Sequence, residues 1–404
     1  MADQNSPLSP SRKAELDDLY GWQLTTNYSE DTEYLIRINL AKIRRLRQQY
    51  SIPVIGITGA NGKTITKAML KSILADAGNI LETPLKCDNA HVIGSTLLNL
   101  KPVHEYALIE FALGDEEQMK RAAEMTLPGI GLITNLGNAH LAYLKENTPA
   151  ESKESAFVRQ IPADGFLIVN QDDEMAANLA KISPTTNIVR YGLSRQADFF
   201  ASQIRSHGAA GTTFRVNETF DVKMQINSIS DIYNALASIA IARVLDVDFE
   251  VIIERLGRFE LPEGRGKIYH LSNEALLIDD LYDQSVDSVR KAVQTLLGFR
   301  KTSKNLTLVL GDVHRFEGDK KEAMRSLGHY LSVFQFDRFV FIGPHSEELA
   351  ESVKIIPHGK AVEAYPTFAR AKIAISKLQQ NGSTIMLKGD IGGTIDDVLP
   401  LFSA

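Results

Sequence analysis

From Pro53 onward, short apolar runs alternate with segments whose apolar residues recur every three or four positions. That is the pattern of a largely parallel sheet flanked by helices. Val54–Ile57, Ala107–Phe111, Gly131–Asn135 and Phe166–Asn170 read as strands. Upstream, Leu35, Ile38, Leu40, Ile43 and Leu46 fall near helical spacing with basic residues between them, which predicts a helix over Asp31 to Tyr50. Between about Asn187 and Asn227 the pattern shortens to NIVRYGL, TTFRVN and FDVKMQIN, separated by glycine and polar turns. These pieces predict an antiparallel appendage on the same domain. Two helices follow, Asp231 to Leu245 and Phe249 to Arg258. In LPEGRG, Leu261 to Gly266, a proline and two glycines interrupt the helical pattern and mark a boundary. Beyond it LLIDDL, LTLVLGD, FVFIG and TIMLKGD alternate with helical segments, a second open α/β series. The expected organisation is a short N-terminal segment (1–50), a central domain (51–262) and a C-terminal domain (263–404).

Length and composition narrow the classes. At 404 residues the chain is long enough for two or three domains, and 44% apolar with 23% charged residues is ordinary for a globular protein. A net charge of −6 provides no basic footprint for nucleic acid or an anionic membrane, so any anionic ligand has to be held by local groups. The single cysteine, Cys87, excludes an intrachain disulfide and a cysteine-rich zinc site. MADQNSPLSPSRK lacks the apolar core of a signal peptide, and no run reaches the length of a membrane span. Cytoplasm is the expected location; oligomeric state is not legible.

Candidate chemistry centres on VIGITGANGKTITKAML, Val54 to Leu70, where Gly59, Asn61 and Gly62 precede Lys63-Thr64 between a strand and a helix bearing Ile65, Met69 and Ile73 on one side. Backbone N–H groups of such a turn bind phosphate oxygens, a lysine adds a point charge, and a threonine hydroxyl can ligate magnesium. The strict phosphate-loop pattern is missed, because its first glycine falls at Ile57. The fold expectation is therefore α/β, a central P-loop-type, mostly parallel sheet domain plus a C-terminal Rossmann-like α/β domain.

GITGANGKTITK resembles the ATP loop of the Mur ligase family, and further matches follow in the family's chain order. IEFALGDEEQM (Ile109 to Met119) resembles its glutamate-bearing segment, ITNLGNAHL (Ile133 to Leu141) its histidine-bearing element, and DIYNALASIAIA (Asp231 to Ala242) its N-A-L-A-A helix. EGRGKI, LLIDDLYDQSVDSVRKAV, LGDVHRFEGD and MLKGDIGG resemble its later elements, and the branch most similar adds D-alanyl-D-alanine in peptidoglycan synthesis. The resemblance implies an ATP- and magnesium-dependent ligase joining a small-molecule carboxylate to an amine through an acyl phosphate. It implies Lys63 on the β/γ-phosphates and Thr64 on magnesium, with Glu110 and His140 as further metal ligands. A carbamylated lysine downstream of that histidine corresponds to Lys153, or Glu154 supplies the carboxylate directly; an ungapped count reaches Glu154. The resemblance also implies Asn234 near adenine, Arg265 on ATP phosphate, and Asp280 and Tyr282 on ribose and adenine.

Some positions depart from the family. About 50 residues precede the phosphate loop where peptidoglycan members carry a whole domain for a uridine-diphosphate substrate. In CDNAHVIGSTLLNL the paired asparagines become Ala90 and His91, and in the last element Asp390-Ile391 replaces serine-arginine. These changes imply an acid other than a uridine-linked muramyl peptide and disfavour an amine whose carboxylate is held by that arginine. Two rival readings stay open: an NTPase or kinase without amide formation, and a nucleotide-binding partner subunit without turnover.

Overall fold

The computed structural model describes residues 30–84, 89–136, 153–314, 319–355 and 360–402, with side chains from Leu40 onward. The chain divides into two compact units. Met1–Ser202, Val216–Phe220 and Tyr233–Leu256 form the first; Gln203–Arg215, Asp221–Ile232 and Gly257–Ala404 form the second.

The first sheet contains β1 (Val54–Thr58), β2 (Asn79–Glu82), β3 (His104–Glu110), β4 (Ile130–Ile133), β5 (Phe166–Asn170), β6 (Ile188–Gly192), β7 (Phe199–Ser206), β8 (Thr212–Val216) and β9 (Phe220–Met224), in the order β2-β3-β1-β4-β5-β6-β7-β8-β9. Among the described residues, the helices of this part of the chain are α1 (Glu30–Gln49), α2 (Lys63–Leu74), α3 (Ala90–Leu98), α4 (Glu116–Thr126), α5 (Lys153–Val158), α6 (Glu174–Leu179), α7 (Ile229–Val244) and α8 (Phe249–Gly257). Strand β1 runs parallel to both β3 and β4 and is buried along its length, which is why VIGIT reads as a continuous apolar run. One core cluster joins Ile43 of α1, Ile93 of α3 and Met119 of α4 to Ile109 and Phe111.

Two glycines bring α5 onto the sheet. A Cβ at Gly56 would lie 2.7 Å from the Phe157 ring, and one at Gly131 would lie 2.6 Å from Ile161. Phe157 packs edge-on against Phe111 with ring centroids 4.9 Å apart. Residues 153 and 154 are thereby fixed beside the segment that follows β3.

The appendage needs correction. Strand β6 runs parallel to β5, from Leu167↔Ile188 to Asn170↔Tyr191, and β7 runs parallel to β6, so both extend the central sheet. Alternating polarity reports half-burial and carries no information on strand direction. On α2 the buried face is Thr64, Thr66, Lys67, Met69, Leu70, Ile73 and Leu74, whereas Ile65 is half-exposed.

The second sheet holds β10 (Lys267–His270), β11 (Leu276–Asp280), β12 (Asn305–Leu310), β13 (Arg338–Ile342), β14 (Ala361–Tyr365) and β15 (Ser383–Lys388), in the order β10-β11-β15-β12-β13-β14. Only the β10–β11 pair is antiparallel. Helices α9 (Val286–Gly298), α10 (Lys320–Ser332) and α11 (Ser346–Lys354) pack with Leu308 and Phe339 on one face. Helix α12 (Phe368–Ser376) packs with Val309 and Ile385 on the other. Helices on both faces leave the carboxyl ends of the parallel strands as the place where such sheets hold ligands.

Candidate functional site

The phosphate-loop candidate connects β1 to α2. Gly59 and Gly62 have φ of 127° and 88°, values that side-chain-bearing residues avoid. A Cβ at Gly62 would lie 2.2 Å from Asn234 Oδ1, so this glycine is required sterically as well as conformationally. Asn234 is buried on α7, and its Oδ1 accepts from Thr66 Oγ1 at 3.3 Å. It packs against the glycine turn and the first turn of α2.

Asn135 holds the other side of the loop. Its backbone oxygen accepts from Ala60 N at 2.7 Å, its Oδ1 accepts from Asn61 N at 3.3 Å, and its Nδ2 donates to Asn61 O at 3.0 Å. The segment bearing Asn135 is itself clamped: Tyr191 Oη donates to Thr134 O at 2.7 Å, and Leu136 N donates to Asp173 Oδ2 at 2.8 Å. Burial, together with Asp173, pushes the Tyr191 phenol well above its ordinary value, so it stays a donor. ITNLGNAHL was read for its histidine; its asparagine is the residue that braces the loop.

Lys63 Nζ folds over the turn and donates to Gly59 O at 2.6 Å and Ala60 O at 3.2 Å. Gly62 precedes α2 in a left-handed conformation with no side-chain cap, so the helix N-terminus keeps its partial positive charge for an anion. Thr64 Oγ1 donates to Glu110 Oε1 at 2.9 Å. Glu110 closes β3 and is 3% exposed, which rules out a solvated strand-end carboxylate. Its Oε2 accepts no hydrogen bond among the described residues. A threonine hydroxyl and a carboxylate are the oxygen donors that magnesium takes, and Oε2, which accepts no hydrogen bond among the described residues, keeps lone pairs for such a cation. Among the described residues there is no group of three or more His, Cys, Asp or Glu side chains that could hold a metal. The third expected ligand, His140, lies outside the described residues, as does Cys87.

Lys153 opens α5 with its Nζ donating to Leu113 O at 2.7 Å, just beyond Glu110. Glu154 beside it is 1% exposed; its Oε1 lies 3.9 Å from Lys153 Nζ, and its Oε2 accepts no hydrogen bond among the described residues. Sequence reasoning overlooked Lys67. One turn beyond Lys63, it is buried with its Nζ 3.5 Å from Glu110 Oε2. The available signal was its spacing: i+3 from Thr64 and i+4 from Lys63, hence on the same helix face.

The remaining expected residues belong to the second unit. Asp279, nearly fully buried, accepts from Gly264 N at 2.7 Å through Oδ2, while its backbone oxygen accepts from Gly266 N at 2.7 Å. These bonds tie the LPEGRG boundary to the end of β11. They bring the Arg265 guanidinium 3.8 Å above the Tyr282 ring, a cation–π contact presented at an exposed tyrosine. Asp280 Oδ2 lies 3.0 Å from Nζ of Lys388, which is 1% exposed and faces it across the parallel β11–β15 pair. Burial pushes the Asp280 carboxyl up to about 6 against the opposing pull of Lys388.

At the carboxyl ends of β12 to β15 lies a cavity of about 570 Å³ bordered by Asp312, Gly343, Phe368, Lys372, Asp390 and Ile391. Asp312 and Asp390 exchange backbone hydrogen bonds of 2.8 and 2.9 Å, which locks two carboxylate-bearing loops together. Asp312 pairs with Lys320 Nζ at 2.8 Å, and Asp390 Oδ2 lies 3.1 Å from His314 Nε2.

Residues 57–242 match the Mur ligase middle domain, and residues 257–391 match the Mur ligase glutamate ligase domain. The UDP-N-acetylmuramoyl-tripeptide–D-alanyl-D-alanine ligase of Synechocystis is 29% identical over 289 residues, which span 71% of this chain and 59% of that protein. The Escherichia coli enzyme of the same name is 27% identical over 360 residues, 88% of this chain and 77% of its own length. The fold superposes on MurF ligase from Thermotoga maritima, solved in complex with ADP, with a TM-score of 0.73 at 20% identity, covering 94% of this chain and 86% of that one. Two consecutive domain models, the relatives and the shared fold agree with the glycine loop, Glu110 and the second α/β unit: the chain belongs to the Mur ligase family.

Proposed function

We propose that the protein is an ATP- and magnesium-dependent carboxylate–amine ligase that works through an acyl phosphate. The observation that carries this reading is the Thr64–Glu110 hydrogen bond of 2.9 Å directly behind the glycine loop and Lys63. A threonine hydroxyl and a buried carboxylate stand together there, the oxygen donors that would hold a magnesium ion and let it offset phosphate charge. The ADP in the Thermotoga maritima structure supports the same nucleotide class.

An amide does not form from a free carboxylate in water unless one carboxylate oxygen becomes a leaving group. In the proposed reaction a carboxylate oxygen attacks the γ-phosphorus and ADP departs. The amine then attacks the acyl carbon, and phosphate leaves with that oxygen as the amine sheds its proton. Lys63 and the α2 N-terminus would offset the negative charge that develops on the transferring phosphoryl group. Magnesium held by Thr64 and Glu110, with His140 as the further expected ligand, would supply Lewis-acid stabilisation. Lys153, carbamylated, or Glu154 would add a carboxylate at the same end. Asn234 and Arg265 are assigned to the nucleotide, as are Asp280 and Tyr282.

For the acid we propose a substrate other than a UDP-muramyl peptide, because Ala90 and His91 stand at the start of α3 where the family's paired asparagines stand. Burial lowers the His91 pKa, with Arg121 adding to the effect, so this position presents a neutral ring at pH 7. For the amine, the C-terminal cavity carries Asp312 and Asp390 on its rim and the apolar Ile391 in place of an arginine, which favours a cationic group over a free carboxylate. A second reading, addition of D-alanyl-D-alanine, draws on the names of the two curated relatives. Cytoplasm is the location proposed for either reading. A panel of carboxylic acids crossed with amines, including UDP-muramyl tripeptide and D-alanyl-D-alanine, separates them through phosphate release. Turnover of the muramyl pair would overturn the first substrate reading in favour of the second.

A further inference from the structure

We infer that Lys67 is a positioning residue for the cation site, holding the Glu110 carboxylate in place without consuming its lone pairs. The inference rests on the nucleotide-site reading above.

An ammonium carries three donors and needs partners when buried. Lys67, 2% exposed, directs its Nζ to Thr83 O at 2.5 Å, Pro84 O at 3.3 Å and Thr83 Oγ1 at 3.4 Å. Those three acceptors all belong to the segment leaving β2. Its remaining close contact, Glu110 Oε2 at 3.5 Å, is an ion pair and not a hydrogen bond. The carboxylate therefore sits next to a fixed positive charge while Oε2 keeps its acceptor capacity. The frame closes on itself, since Thr83 Oγ1 accepts from Glu110 N at 2.9 Å and Thr64 Oγ1 donates to Glu110 Oε1. Three residues from α2 and the segment after β2 thus hold Glu110: Thr64 and Lys67 at its carboxylate and Thr83 at its backbone N–H. A lysine with only a core-packing role would not need to place its charge beside a buried carboxylate that hydrogen-bonds the first turn of α2. Groups that orient a metal ligand in this way commonly account for about 10–100-fold in metal affinity.

The test is calorimetric titration of the full chain with ADP in EDTA and with ADP in excess magnesium chloride. For Lys67→Met, the magnesium-dependent gain in ADP affinity should fall about tenfold or more, while affinity for ADP alone stays within about twofold of the unmodified protein. Lys67→Arg should recover most of the gain, and Lys67→Met should cause no further loss in a Glu110→Gln background. An unchanged magnesium gain in folded Lys67→Met overturns the inference. So does an equal loss with and without magnesium, which would indicate a packing role alone. Should Lys67→Met fail to fold, Thr83→Val removes one acceptor of the same frame and should reduce the magnesium gain in the same direction; no reduction overturns the inference equally. Unmodified protein that binds no ADP under either condition would sink the nucleotide-site reading itself, whereas normal binding with an indifferent Lys67 sinks only this inference.

Discussion

The two sheets prepare their ligand ends by different means. At the end of β1 the loop is shaped by backbone, with two glycines at positive φ, asparagines clasping main-chain groups and a lysine lying across the turn. At the ends of β11, β12 and β15 the arrangement is made of side-chain pairs: the ion pairs of Asp280 with Lys388 and Asp312 with Lys320, and the contact of Asp390 with His314. A backbone cradle suits a phosphate, which is the same in every reaction of a given class. Paired side chains can be exchanged singly, so they suit the reactant that differs from one enzyme to the next. The difference accounts for the stronger sequence likeness to the family at the phosphate loop than at Asp390 and Ile391.

The comparison can be broken at the backbone end first. Lys63→Ala should lower turnover by about 10²–10³-fold, the usual cost of removing one electrostatic donor aimed at developing charge. Its melting temperature should stay near that of the unmodified protein, because the lysine is partly exposed and donates to Gly59 O and Ala60 O of its own loop. Comparable loss of stability and turnover would mean the residue is structural.

At the charged end, Lys388→Met should cost stability at the low end of about 3–5 kcal/mol, the range for removing one partner of a buried ion pair. The low end applies because the Asp280 side chain keeps 22% exposure and can rehydrate. Chemical denaturation of the variant against the unmodified protein reads this directly. Gly62→Ala comes next, at about 1–3 kcal/mol for a non-glycine residue in a disfavoured backbone region. Its Cβ would also meet Asn234 Oδ1, so nucleotide affinity should fall together with stability.

A smaller effect concerns pH. The folded pKa of Asp280 is raised to about 6, above the ordinary carboxylate value of 3.8, so the native state binds this proton more tightly than the unfolded chain does. This group's contribution to stability should rise as pH falls from about 7 through 6 towards 4, opposite in sign to a carboxylate stabilised by its partner. Lys388→Met, which removes the cation with the largest pull on it, should shift that rise to higher pH in stability–pH curves. Asp390→Ala should be the mildest change. Its carboxylate is half-exposed, so stability should move by no more than about 0.5 kcal/mol, while preference among cationic and neutral amines should change.

Residues with continuous apolar surroundings were the most legible in the sequence. Phe166–Asn170 is a strand with the bounds its pattern predicts, and β1, β12 and β15 coincide with the runs around Val54, Leu308 and Met386. Three edge strands were not legible: β2, β10 and β14 are only partly buried, so NILE, KIYH and AVEAY lack an uninterrupted apolar signature. Direction at β6 was misread for the related reason that half-burial fixes a face and not a neighbour. At the site, Gly59, Gly62, Lys63 and Thr64 stood out because a phosphate turn demands particular residues in one short stretch, whereas Glu110 was marked by its place at a strand end and by the family resemblance. Lys67 against Glu110, Asn135 against Asn61, and Lys388 against Asp280 depend on strand register and helix placement across tens of residues, information that no local pattern contains.

The central claim is that a carboxylate oxygen is transferred to phosphate before the amide forms. The direct measurement follows ¹⁸O from a labelled carboxylic acid, taken from the acid–amine panel, into the phosphate released during turnover. The account predicts one carboxylate-derived ¹⁸O in each phosphate, with release dependent on both acid and amine and lost in Lys63→Ala. Phosphate that carries no label, or release indifferent to acid and amine, would contradict it and leave a nucleotide hydrolase in its place.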